Sequence, residues 1–110
     1  MPKNELSNDF YELDDLDTNK LIEMAKNCLF SEKNYLQTLK IAEILLSREK
    51  RQNFYIIKGL ACYSEKKYIK AKRSFEEACA FGLNNNYSYC LWWLGKANEA
   101  LELKENACDN

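Results

Sequence analysis

Five cysteines and no histidine bound the chemistry open to this chain. Cys28, Cys62, Cys79, Cys90 and Cys108 are odd in number, and no two are spaced C-x-x-C. A zinc site would need thiolates and carboxylates alone, and a nucleophilic thiol would lack an activating imidazole. Cys28, Cys62, Cys79 and Cys90 each fall in an apolar helical pattern, where a free cysteine packs as a small hydrophobe. The expectation is reduced core thiols in a cytoplasmic or nuclear protein. There is no glycine-rich phosphate loop and no serine-centred elbow. These residues predict no enzyme, no metal and no cofactor.

The elements must therefore position something other than a catalytic group. The chain has 110 residues, 46% of them hydrophobic and 30% charged, with 3 Gly and 1 Pro. That length predicts one domain able to bury about 65% of its unfolded surface. Few breakers and much Leu, Lys, Glu and Ala favour helices. No run of about 20 apolar residues exists, so no membrane span is expected. The start, Met-Pro-Lys-Asn-Glu, lacks an apolar signal core, which argues against secretion. The net charge of −1 hides an asymmetry: residues 1–18 hold six acids against Lys3, a balance of −5, and the rest carries +4. A pI near 5.6 argues against a nucleic-acid partner.

Residues 1–17 read as an acidic tail or short accessory helix, with Phe10, Leu13 and Leu16 at helical spacing. Asp17 or Thr18 can cap a helix over about 19–31, carrying Leu21, Ile22, Ala25, Leu29 and Phe30. The spacing predicts further helices over about 35–48, 53–65, 68–81 and 87–104, with Ser47–Gln52 as a polar link. Gly59 in mid-helix costs about 1 kcal/mol in propensity, so a close helix approach is expected there. Gly82 is placed as a helix stop, and Asn84–Asn86 as a turn. The helical domain is set at 18–105, with 106–110 a frayed tail.

Two helical hairpins emerge, followed by one more helix. Tyr35 and Tyr68 lie 33 apart and each opens a second helix; Thr38 matches Ala71, Ala42 matches Phe75 and Leu45 matches Ala78. A repeat of this length indicates a helical solenoid. The stretch Tyr55–Ala78 resembles a tetratricopeptide repeat: Tyr55 and Gly59 fit its first helix, Tyr68 its turn aromatic, and Ala71, Phe75 and Ala78 its second helix. Lys58, Cys62 and Leu83 depart from that pattern, where Leu, Tyr and Pro are usual. The first hairpin is more degenerate, with Lys26 where the glycine would be, and Leu94-Gly95 returns in the last helix displaced by about two residues. The resemblance implies an all-α, tetratricopeptide-like helical-hairpin solenoid of about five antiparallel helices, two repeats and a capping helix.

In that family the first helices line a concave groove. The resemblance therefore implies a lining of Glu23, Asn27 and Phe30, joined by Ile56, Leu60 and Tyr63. The alternative is that the latter three contact the last helix or the N-terminal segment. Consecutive Trp92 and Trp93 cannot share a side of a helix, which makes Trp92 a candidate partner contact. Glu23 and Ile57 stand where a chaperone-tail carboxylate clamp would need Lys and Asn, so that sub-type is rejected. Lys66, Lys67, Lys70, Lys72 and Arg73 form a basic run, either a solvated face or an attractor for the acidic 9–17 segment.

The expected function is a non-catalytic interaction module, an adaptor or small scaffold subunit. It would bind a partner protein's peptide or helix, or a second copy of itself, through an apolar concave face. Two narrower alternatives are a structural subunit of an assembly like the anaphase-promoting complex, and a soluble relative of the mitochondrial fission adaptor. Gly59→Leu is expected to destabilise the fold. Leu60→Glu is expected to keep helicity and abolish partner binding, as read by circular dichroism beside a binding assay.

Overall fold

The computed structural model describes Leu13 and residues 15–109, with side chains as far as Lys104. Among the described residues the protein is all-helical. Helix α1 spans Thr18–Lys26 and runs into a π-helical turn, Asn27–Ser31. Then come α2 (Tyr35–Arg48), α3 (Gln52–Ser64), α4 (Tyr68–Cys79) and α5 (Tyr87–Asp109). The α5 backbone continues through the stretch expected to fray. No described helix is long and apolar enough to cross a membrane. Phe10 lies outside the described residues; Leu13 is buried, and Leu16 packs against the same core.

Local chemistry explains where the helices start and stop. The Asp17 carboxylate accepts from the Lys20 N–H at 2.8 Å, and the Asn34 side chain accepts from the Gln37 N–H at 3.2 Å. Both supply the acceptor that an exposed helix start lacks. Gly82, at φ +97°, ends α4, a conformation that costs a residue without Cβ little. The link before α3 is shorter than expected. Gln52 belongs to the helix and is buried, donating to the Ala78 carbonyl at 2.9 Å and accepting from Asn84 at 3.1 Å. That buried amide ties the start of α3 to the end of α4 and to the following loop.

Packing is sequential. The main helix–helix contacts join α1 to α2, α2 to α3, α3 to α4 and α4 to α5, with the π turn also reaching α3. The radius of gyration is 15.4 Å, against about 13 Å for a compact chain of this length. The core is continuous and centres on Leu21, Ile41, Leu45, Phe54 and Phe75. Gly59 is where α3 and α4 approach most closely: a Cβ there would lie 2.5 Å from Phe75 Cε1. Lys58, in place of the apolar residue of the repeat pattern, is half-buried and pairs with Glu43 of α2 at 2.9 Å. Cys62 is buried one turn further along α3.

The two hairpin turns share one device. Lys33 (φ 56°) and Lys66 (φ 64°) are both left-handed and stand 33 residues apart. After α3, the Lys67 N–H reaches the Cys62 carbonyl at 2.8 Å and the Lys66 N–H reaches that of Tyr63 at 2.9 Å, a Schellman closure. In the first hairpin the Asn34 N–H reaches back to Cys28 at 2.7 Å. The donors Asn34 and Lys67 are thus 33 apart, but their acceptors are 34 apart. The π turn holds the extra residue. The matching of Lys26 to Gly59 is corrected accordingly: Lys26 is exposed, and the buried Ala25 occupies the equivalent place.

A left-handed lysine costs about 1–2 kcal/mol. Lys66→Gly is expected to relieve that strain, less the extra freedom of glycine in the unfolded chain, for a net gain of about 0.5–1 kcal/mol. The check is a higher urea midpoint with an unchanged m-value.

Candidate interaction surfaces

The residues expected to line one concave face do not form an open surface together. Asn27 and Phe30 share the π turn and are exposed, and the Asn27 amide donates to the Glu32 carboxylate at 2.9 Å. Leu60 is only 7% exposed and belongs to the core. Ile56 is half-buried and packs against that core. The Tyr63 ring is held between Tyr68 (5.2 Å, edge-on) and Trp93 (5.3 Å, edge-on). A partner arriving at α3 would therefore meet a face already occupied by the chain's own aromatic side chains. This is why helical spacing alone misleads here: it defines a face without saying what covers it.

The tryptophans divide as their adjacency requires. Trp93 turns inward and stacks on Phe75 at 5.9 Å with an interplanar angle of 20°. Trp92 turns outward and is 58% exposed, its ring covered on one side by the Lys96 ammonium at 5.6 Å. Leu91 is exposed beside it. One turn further along, Gly95 is exposed too, and a Cβ built there would meet nothing within 4 Å. Gly95 is thus the i+4 neighbour of Leu91 and the i+3 neighbour of Trp92, and lies between them on the outward side of α5. The opposite stripe, with Cys90 and Ala97, is buried. Among the described residues no side chain packs into the space left by Gly95.

The cysteines have the character of core groups. Burial pushes the Cys28, Cys62, Cys79 and Cys90 thiols up from their ordinary value, which keeps them protonated near neutral pH. Among the described residues no group of three or more Cys, Asp or Glu side chains could hold a metal ion.

No protein-family model, no curated protein and no solved structure matches the chain.

The burial of Leu60 reverses the outcome expected from spacing. Leu60→Glu places a carboxylate in the core and is expected to cost more than about 2 kcal/mol. The check is a large fall in melting temperature by circular dichroism, rather than a folded protein that has merely lost a partner.

Proposed function

We propose that this chain is a non-catalytic protein–protein interaction module of the tetratricopeptide kind. It acts as an adaptor or small scaffold subunit and receives a partner helix on the outer stripe of α5. The observation that carries this reading is Gly95. An exposed glycine inside a helix costs about 1 kcal/mol against alanine. At Gly59 the same cost accompanies the admission of Phe75 from the next helix. Gly95 has no such neighbour among the described residues, yet it lies beside exposed Leu91 and Trp92. An aromatic anchor, an aliphatic side chain and a gap that lets a backbone come close are what a docked helix uses. The same stripe would serve a subunit held permanently in an assembly.

Gly95→Ala separates fold from function, because the two should move in opposite directions. The isolated chain is expected to gain about 1 kcal/mol of stability, while its hold on the partner weakens. Leu91→Glu with Trp92→Glu should leave the melting temperature within about 3 °C and abolish the capture that wild-type protein gives from its source cell. Equal capture by the double variant would defeat the reading.

A further inference from the structure

A channel of about 470 Å³ lies between α2 and α4, floored by α3. This is within the span of about 300–1,000 Å³ typical of built ligand sites. Leu46 faces it from α2 and Lys50 from the link that follows, Tyr55 and Lys58 from α3, and Lys70 and Arg73 from α4. Four cations meet two carboxylates in its lining, Glu43 and Glu77. Glu43 is already taken by Lys58, at 2.9 Å. Lys50, Lys70 and Arg73 make no ion pair among the described residues. Four cations against two carboxylates leave the lining with a net charge of +2, with Glu77 beside Lys50, Lys70 and Arg73 once Lys58 and Glu43 have paired. Burial raises the Cys62 thiol, while Lys58, Lys70 and Lys67 pull it the other way.

The arrangement selects among anions. Lys70 and Arg73 are almost one turn apart on their helix, about 4.5 Å along its axis, and Lys50 faces them from the other wall. A single phosphate is best held by donors converging on one point. Cations spread along two walls match carboxylates spread along a strand. The floor between them carries the half-buried Tyr55, which favours an apolar side chain over a bare ion. We propose that this channel binds a short acidic peptide segment of a partner protein, its carboxylates meeting Lys50, Lys70 and Arg73 and one apolar side chain resting on Tyr55. The site lies on a different face of α3 from Ile56, Leu60 and Tyr63, and it is independent of the α5 stripe.

The test uses the full chain and a fluorescein-labelled octapeptide of Asp and Glu with a central Leu, followed by anisotropy. Binding is expected at about 50 mM salt and at least tenfold weaker at about 300 mM, because exposed charges are screened. Lys70→Ala with Arg73→Ala should weaken it at least tenfold, with circular dichroism unchanged since both positions are exposed. Lys20→Ala with Lys104→Ala, on the first and last helices, should leave it within about twofold, as distant exposed charges are screened. Exchanging the central Leu for Ser should weaken it as well. No binding at low salt, or an equal loss in the two double variants, would overturn the proposal. Displacement of the peptide by inorganic phosphate at a similar concentration would overturn the carboxylate assignment and make the site a phosphate site.

Discussion

The ring of Phe75 is held between two helices besides its own. One of its edges fills the space that a Cβ at position 59 would occupy, and Trp93 of α5 stacks over it at 5.9 Å. Its own helix, α4, is thereby fixed to α3 on one side and to α5 on the other. Aromatic pairs of this kind contribute about 0.5–1.5 kcal/mol beyond the area they bury. Tyr63 extends the cluster, touching both Tyr68 and Trp93. Gln52 adds a polar tie nearby, with no buried side-chain nitrogen or oxygen left unpartnered among the described residues. The last three helices therefore form the best-connected part of the chain.

The first hairpin solves the same geometric problem with different residues. Ala25 stands where Gly59 does, and Ala42 where Phe75 does, all of them fully buried or nearly so. Two small residues replace one absent side chain and one large ring. The pairing is legible only after the π turn is counted, because the extra residue throws α1 one step out of register with α3. A left-handed lysine at the same place in both turns then restores the common path into α2 and α4.

The number of helices, the cap at Asp17 and, to within two residues, the limits of α2, α3 and α4 were legible in the chain because apolar spacing, a capping carboxylate and Gly82 are local signals. So was the purpose of Gly59, whose helix-breaking cost requires a compensating contact. Three features were not legible. The π turn leaves no mark in Asn27–Ser31 that distinguishes it from an ordinary helical turn. The burial of Leu60 depends on what lies across from it, which periodicity does not report. Gln52 reads as a polar link residue, and its role appears only when Ala78 and Asn84, 26 and 32 residues away, are brought to it. Of the residues expected at an interface, Trp92 stands out in solvent because its neighbour Trp93 takes the inward place. Gly95 could have been grouped with it from their i, i+3 spacing, and with Leu91 from i, i+4. The channel cations come from the link after α2 (Lys50) and from α4 (Lys70 and Arg73), and the run of basic residues hinted at only part of that set.

The succession of contacts, each helix against the next, also bears on how the chain folds. Most of its native contacts are closed by loops of a few residues, so little loop entropy is lost before packing begins. Proteins of this topology fold fast, on the microsecond-to-millisecond scale, and their parts open with unequal ease. The Phe75 cluster sits toward one end of the stack, whereas α1 and its π turn lie at the other and lean mainly on α2. Opening should therefore begin at α1 and travel toward α4. Backbone amides of α1 would then exchange with solvent long before those of α3 and α4, as in a zip undone from its lighter end.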